Sequence, residues 1–163
     1  MLTFAVAALH ANRMPLTIDD DGITHASIID ELATITTETV QLFSNASFNV
    51  SQPISLSQVS TLFFVALAGA VNGGSATEQT DLTVPNLAFS TGAGIGAADD
   101  LDVSVSKLAF ANTGGAVQIT NPGPQSISSV AGLTVSSNTG TTTTLSTASP
   151  LTFAVNTTSA GTL

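Results

Sequence analysis

Short apolar runs alternate with turn-forming stretches along the second half of the chain. Four of these runs open with an apolar triplet, and a segment rich in Gly, Asn, Ser and Thr follows each triplet. The triplets are LAF at 87–89, LAF at 108–110, LTV at 133–135 and LTF at 151–153. Their leading leucines lie 21, 25 and 18 residues apart. A strand-sized unit that returns about every 20–25 residues predicts a β-solenoid, in which each coil buries its apolar face on the next.

The triplets also predict which side chains form the core. The first positions of the triplets are expected to point inward: Leu87, Leu108, Leu133 and Leu151. Phe89, Phe110 and Phe153 share the third position, so we expect them to form an internal aromatic stack. Segment 101–106 (LDVSVS) alternates strictly between apolar and polar residues, which predicts a strand with one buried face.

Other segments carry less regular signals. Segment 34–42 has strand propensity, and 116–120 alternates before the turn sequence Asn-Pro-Gly-Pro. The run 127–135 predicts the next strand. Segment 62–71 is apolar but too short to span a bilayer, so it predicts a buried strand or a short helical excursion. Segment 26–33 (ASIIDELA) fits a helix and another strand equally well.

The chain also contains two longer internal matches. LTFAV occurs at 2–6 and again at 151–155, and segment 53–62 matches 124–133 at its Pro, Ser, Val and Leu positions. Because both ends fall inside the pattern, we interpret residues 1–163 as a single solenoid segment, a fragment of a longer repeat protein. Coils that rise ~4.8 Å each would number about seven over the whole chain.

The composition favours β structure. Ser and Thr make up more than a quarter of the residues, whereas charged residues make up 8%. Thr suits the pleated surface of a sheet, and Ser and Asn suit turns. Lys and Glu, which cover the exposed faces of ordinary helices, are nearly absent. Strands at this spacing also fit an antiparallel β-sandwich, for example a module of a filament or S-layer, and this is the alternative fold.

Charge and cysteine content exclude several classes of function. The chain has two cations, Arg13 and Lys107, against eleven carboxylates, which gives a net charge of −9. Such a surface repels phosphate backbones and anionic lipids, so we predict no nucleic-acid partner and no membrane insertion. Cysteine is absent, which excludes disulfides, thiolate metal sites and a cysteine nucleophile.

Two acidic clusters come nearest to a metal site. One is the run of three aspartates that begins at Asp19, and the other surrounds Asp99. Neither spacing matches a known calcium loop, so exposed turns are the favoured interpretation and calcium binding is the alternative. His10 and His25 lie in unrelated contexts, and no G-x-S-x-G motif is present. We therefore predict no catalytic residue, no cofactor and no metal ligand.

Two segments carry a resemblance to a known group of proteins. The pattern L-x-V-S-V-S-x-L-x-F-x-N-T-G-G-A-V-x-I-T covers 101–120, and S-S-V-x-G-L-T-V-S-S-N-T-G covers 128–140. This alternation resembles the repeats of filamentous-haemagglutinin-like adhesins and related large repetitive proteins of bacterial surfaces. The resemblance is clearest from 81 to 163 and looser from 19 to 74. It implies a right-handed parallel β-helix that is secreted and displayed at the cell surface.

The resemblance also implies a role. Those families share no catalytic residues, so we expect a non-catalytic structural or adhesive segment rather than an enzyme. The expected partners are a host or neighbouring cell surface, a glycan or a matrix, together with end-to-end self-association. The alternative function is a polysaccharide-active enzyme on the same scaffold. That enzyme would need a cleft that joins several carboxylates to Arg13 or Lys107.

Overall fold

The described strands all run parallel to their neighbours in the sheets. The computed structural model describes residues 16–20, 39–74 and 79–162, and for 16–20 it describes the backbone alone. Within these residues the regular structure is entirely β, and the strands stack as a β-solenoid of about five turns. The predicted β-solenoid is therefore confirmed. The antiparallel sandwich is wrong, because every pairing between the described strands is parallel.

The first sheet receives one or two strands from each coil. Its strands are β1 (Leu16–Asp20), β2 (Thr39–Ser44), β5 (Thr61–Ala66), β8 (Asn86–Thr91), β11 (Lys107–Asn112), β13 (Gln125–Ile127), β14 (Ser136–Asn138), β16 (Leu151–Phe153) and β17 (Thr157–Ser159). Strand β11 pairs with β13 through Lys107 and Leu108, and with β14 through Ala111 and Asn112. After β11, each coil therefore contributes two short strands to the first sheet in place of one long strand.

The second sheet forms the other sides of the solenoid. Its strands are β3 (Phe48–Val50), β4 (Ile54–Ser55), β6 (Ala70–Gly73), β7 (Leu82–Thr83), β9 (Gly94–Ile95), β10 (Leu101–Ser104), β12 (Val117–Asn121) and β15 (Thr143–Thr147). Strand β12 pairs with β9 at Val117 and with β10 at Ile119 and Thr120. Paired residues are 22 positions apart in the sequence at the first pairing and 18 apart at the second. The coil that contains β9 and β10 therefore holds four more residues between these strands than the facing part of β12 does.

Two columns of inward side chains fill the solenoid behind the first sheet. One column stacks Val40, Leu62, Leu87, Leu108 and Ile127. The other column stacks Leu42, Phe64, Phe89 and Phe110. Leu87 and Leu108 are fully buried, as predicted. Full burial of a side chain of this size stabilises the fold by about 1.5–3 kcal/mol.

The second sheet closes the core from the opposite side. Its alternating segment buries Leu101, Val103 and Val105, which confirms the predicted buried face, and the strand itself covers 101–104 of the predicted 101–106. The ring of Phe48 on β3 meets the ring of Phe64 edge-on, with centroids 5.3 Å apart. This edge-to-face contact is a favoured aromatic geometry, and it joins the two sheets in one core.

The triplet at 151–153 is shifted by two residues relative to the earlier triplets. Leu151 lies beneath Gln125, and Phe153 lies beneath Ile127. Phe153 therefore continues the leucine column, where its ring is 47% exposed. Leu151 packs against the core but is only partly buried, so its predicted inward position holds in part.

The aromatic stack was predicted with one wrong member. Phe89 and Phe110 lie next to each other in one column, as predicted, but the ring that stacks on Phe89 is Phe64, with centroids 5.6 Å apart and an interplanar angle of 15°. Below Phe110 the column continues with Ser136, whose hydroxyl accepts a hydrogen bond from the Phe110 amide at 3.3 Å. Phe153 is excluded because it pairs with Ile127 and therefore lies in the leucine column.

An insertion leaves the first sheet between β13 and β14. The offset between paired residues grows from 19 at Leu108 to 26 at Asn112, so seven extra residues form a loop. Ala131 and Gly132 turn the loop at φ of 51° and 85°, conformations in which glycine is favoured. The predicted strand over 127–135 is therefore wrong beyond Ile127.

The loop folds back onto the outside of the solenoid. Val130 packs with Ala88 and Ala109, and Phe63 and Leu133 lie at the margin of this cluster. Leu133 was predicted to point into the core, and that prediction is wrong. The small alanines on β8 and β11 leave a shallow outer face that the loop covers, so an outward apolar surface becomes a second, smaller core.

Of the remaining segment predictions, some are confirmed, some are wrong, and some fall outside the described residues. Segment 62–71 contains most of β5 and the start of β6, joined by a bend at 67–69, so the predicted strand is confirmed in part. The match between 53–62 and 124–133 does not mark equivalent positions, because Ile54 lies in the second sheet and its counterpart Gln125 lies in the first. Segments 2–6 and 26–33 lie outside the described residues. No helix in the described part is long and apolar enough to cross a bilayer.

Candidate binding groove

An open groove of about 380 Å³ follows the corner where the second sheet turns toward the first. Its lining comes from consecutive coils, at the ends of β4, β7, β10 and β12 and in the residues that follow them. The register places Ser55 beside Thr83, and Thr83 beside Ser104. We call this feature the hydroxyl groove, after its hydroxyl side chains Ser55, Ser57, Thr83, Ser104 and Ser106.

Strand alternation explains why hydroxyls line the groove. Successive side chains of a strand point to opposite faces, so each hydroxyl neighbours an inward apolar residue. Leu56, Val84 and Val105 are these inward neighbours, and they are 3%, 2% and 6% exposed. All five hydroxyl residues are exposed. The groove is therefore a polar surface held on a packed apolar floor.

The backbone under the groove is already engaged in hydrogen bonds between coils. The Leu56 amide donates to the Thr83 carbonyl at 2.9 Å, and the Val84 amide donates to the Ser104 carbonyl at 3.2 Å. The Ser106 amide donates to the Pro85 carbonyl at 3.0 Å. A ligand in the groove would thus meet side-chain hydroxyls and the exposed rings of Pro85 and Pro124.

Asn121 closes one end of the groove and is fixed in place. Its side-chain nitrogen donates to the Val105 carbonyl at 2.8 Å, and its side-chain oxygen accepts from the Gly123 amide at 3.2 Å. The residue is 1% exposed. Because both polar atoms have partners, this asparagine shapes the turn after β12 and holds Pro124 at the rim.

The lining of the groove contains no charged side chain. Lys107 follows Ser106 in the chain, but it lies on β11 outside the lining. The groove can therefore donate and accept neutral hydrogen bonds. General acid–base catalysis needs a titratable group within reach of the substrate, and the lining supplies none.

The four extra residues between β9 and β10 carry the acidic cluster around Asp99. Nearby, Asp81 is 2% exposed, and its Oδ2 accepts a hydrogen bond from the Asp102 amide at 3.1 Å. Its Oδ1 is buried without a hydrogen-bond partner. A Cβ on Gly73 would lie 2.7 Å from Asp81 Oδ2 and 2.5 Å from the Asp100 carbonyl oxygen, so only glycine fits at this point.

Burial raises the pKa of the Asp81 carboxyl above its ordinary value of 3.8. The hydrogen bond from the Asp102 backbone lowers this pKa, and the negative charge of Asp99 raises it further. The described residues contain no group of three or more His, Cys, Asp or Glu side chains that could hold a metal ion. The side chain of Asp19, in the other predicted cluster, lies outside the described residues.

A buried polar ladder inside the solenoid was missed in the sequence. The Thr91 hydroxyl donates to Asn112 Oδ1 at 2.8 Å, and Asn112 Nδ2 donates to Asn138 Oδ1 at 2.8 Å. Asn138 Nδ2 then donates to the Thr143 hydroxyl at 3.0 Å. The signal was present, since Asn-Thr-Gly recurs at 112–114 and 138–140, but it predicted a turn and not an inward asparagine.

His10, His25 and Arg13 lie outside the described residues, so the structure brings none of them to a site. Hydroxyl residues of the groove were not singled out in the sequence, because single serines in a Ser/Thr-rich chain carry no positional signal. No known protein family, curated protein or solved structure matches this chain.

Proposed function

We propose that this chain is a non-catalytic structural and adhesive segment of a secreted bacterial surface protein. The observation that carries the proposal is the continuous stacking of parallel strands in both sheets. In a solenoid each coil contacts only its neighbours, so length increases without a change in cross-section. That geometry suits a stalk that holds a binding surface away from a cell.

The surface supports an adhesive role of modest affinity. Ser, Thr and Asn dominate the outward positions, and the hydroxyl groove is the concave part of that surface. The chain has no Trp or Tyr, the aromatic anchors that dominate many tight interfaces. Weak contacts of this kind gain strength when many copies or repeats act together. The partner would be a host or neighbouring cell surface, a glycan or a matrix.

End-to-end self-association is part of the same proposal. Among the described strands, β16 pairs with β13 and β17 pairs with β14, each on one side only. Phe153 is 47% exposed beside this edge. Unpaired strand edges accept further strands, and another coil of the same kind has the matching parallel geometry.

A bead assay tests the adhesive role. Beads coated with the full chain at fixed density are incubated with epithelial monolayers, bacterial lawns and extracellular matrix, and the retained beads are counted after washing. We expect retention on at least one surface above albumin-coated beads, and loss of retention when the coated chain is heat-unfolded. Equal retention of coated and albumin beads on all three surfaces would contradict an adhesive function.

A further inference from the structure

We propose that the hydroxyl groove binds a short segment of an uncharged glycan. This inference rests on the proposed adhesive function, for which it names the ligand class and the site. The volume of about 380 Å³ lies within the ~300–1,000 Å³ typical of small-molecule sites and suits a few sugar units.

The lack of charged side chains in the groove and the negative charge of the whole chain favour an uncharged ligand. The groove lining carries no charged side chain, and the whole chain has a net charge of −9. A sulfated or uronic-acid glycan would meet repulsion with no cation in the groove to offset it. A cationic ligand would find no carboxylate in the lining with which to pair.

Hydrogen bonding favours a sugar over a peptide. Peptides that bind to sheets commonly use free backbone N–H and C=O groups of a strand edge. The Leu56 and Val84 amides under the groove already donate to the next coil. The groups left for a ligand are side-chain hydroxyls, such as those of Thr83 and Ser104, and each of them can both donate and accept a hydrogen bond. Sugar hydroxyls have the same dual character, so both partners can be satisfied without charge.

The periodicity of the groove suits a chain ligand. Strands in a sheet lie about 4.8 Å apart, so the aligned hydroxyls of Ser55, Thr83 and Ser104 recur at that spacing along the solenoid axis. Pro85 and Pro124 add exposed ring surfaces, against which the C–H faces of a sugar can pack. A glycan lying along the axis would contact equivalent hydroxyls on successive coils.

Nuclear magnetic resonance on the isotope-labelled full chain tests this inference. The probes are neutral tetrasaccharides of glucose, galactose, mannose and N-acetylglucosamine at millimolar concentration, with a sulfated heparin tetrasaccharide and a Ser/Gly peptide as comparisons. We expect at least one neutral probe to shift the amide signals of Thr83, Ser104 and Ser106, and the heparin and peptide probes to leave them unchanged. No groove shift with any neutral probe, or shifts with the peptide alone, would overturn the inference.

Thr83→Val removes one groove hydroxyl and keeps the side-chain shape. Thr83 is exposed, so the fold should tolerate the change. We expect a roughly tenfold loss of affinity, the size of one or two neutral hydrogen bonds. The matched control is Thr144→Val, an exposed threonine on β15 that is not part of the lining, which should bind as the unmodified chain does. Equal affinity for both variants would place the sugar elsewhere.

The bead assay separates this inference from the proposed function. If beads carrying Thr83→Val with Ser104→Ala adhere as strongly as unmodified beads, adhesion stands and the groove inference fails. If unmodified beads do not adhere, the proposed function fails. Release of reducing ends from a tetrasaccharide would overturn both, because it would show catalysis.

Discussion

The central coils and the last coils belong to the same two parallel sheets but differ in the side chains that fill the interior. Strands β5, β8 and β11 enclose stacked leucines and phenylalanines that are almost fully buried. In β14 and β17 the corresponding inward positions are Ser136 and Asn138, paired with Thr157 and Ser159. Polar hydrogen bonds thus replace apolar packing toward the C-terminal end of the described solenoid.

This difference indicates that the path of the backbone and the stability of each coil depend on different interactions. The parallel ladder continues into the last coils, with Val117 paired to Thr143 and Ser136 to Thr157. Burial does not continue, because β15, β16 and β17 contain exposed or partly exposed residues at nearly every position. Solenoid stability is approximately a sum over coils and their interfaces, so we expect the last coils to be the least stable.

The largest expected effect comes from a charge in the central aromatic column. Phe110→Asp places an unpaired carboxylate at a fully buried position, and we expect a loss of about 4 kcal/mol or more of unfolding free energy, or failure to fold. Phe153→Asp is the matched control, since its ring is 47% exposed. Thermal unfolding followed by circular dichroism measures both. Similar melting temperatures for the two variants would contradict the buried column.

A cavity in the leucine column should be the next largest effect. Leu108→Ala removes fully buried atoms, and we expect a cost of about 2–5 kcal/mol in urea unfolding. Leu151→Ala, in a partly buried position of the last coil, should cost less than half of that. A larger cost at Leu151 would reverse the proposed order of stability.

The polar ladder should respond to loss of one asparagine. Asn112→Ala leaves the buried Thr91 hydroxyl without its acceptor and removes one of the two donors to Asn138 Oδ1, which keeps the Gly140 amide. We expect this loss to cost about 1–3 kcal/mol. Asn49→Ala serves as control, because Asn49 also bonds to the next coil, through Asn72, but on the exposed surface. We expect that control to change urea unfolding by about 0.5 kcal/mol or less. Equal effects would mean that the buried ladder adds nothing beyond a surface contact.

The smallest expected effect depends on pH. Because the folded-state pKa of Asp81 is raised, this carboxyl stabilises the fold most below its ordinary value of 3.8 and loses that contribution as pH rises through the folded pKa. Asp81→Asn keeps an acceptor for the Asp102 amide and removes the buried charge. We therefore expect the variant to melt higher than the unmodified chain at pH 7, with the difference vanishing near pH 3. A lower melting temperature at pH 7 would show that the charge is stabilising.

The sequence predicts the parallel solenoid fold more accurately than it predicts which residues pair between coils. Recurring Leu-x-Phe triplets predict parallel coils and the buried positions of Leu87, Leu108 and Phe110, because apolar columns must repeat once per coil. The same triplets misplace Leu133 and Phe153. The seven-residue insertion before β14 changes which residues face each other, and a local pattern cannot reveal a change in long-range pairing.

The candidate site could not be predicted from the sequence, for a related reason. Ser55, Thr83 and Ser104 are 28 and 21 residues apart, and they form one row only through the strand register. Serines and threonines occur throughout the chain, so no local feature distinguishes these three. Asp81 was missed similarly, since its burial depends on the close approach of Gly73 and the Asp102 backbone.

Hydrogen–deuterium exchange of the full chain, read by mass spectrometry, tests most directly the difference between central and last coils. We expect the slowest exchange in peptides that cover β5, β8 and β11, and exchange at least about tenfold faster in those that cover β15, β16 and β17, because local opening costs less where fewer apolar side chains are buried. Equal protection along the solenoid, or slower exchange in the last coils, would contradict the claim that apolar columns and not the backbone ladder set its stability.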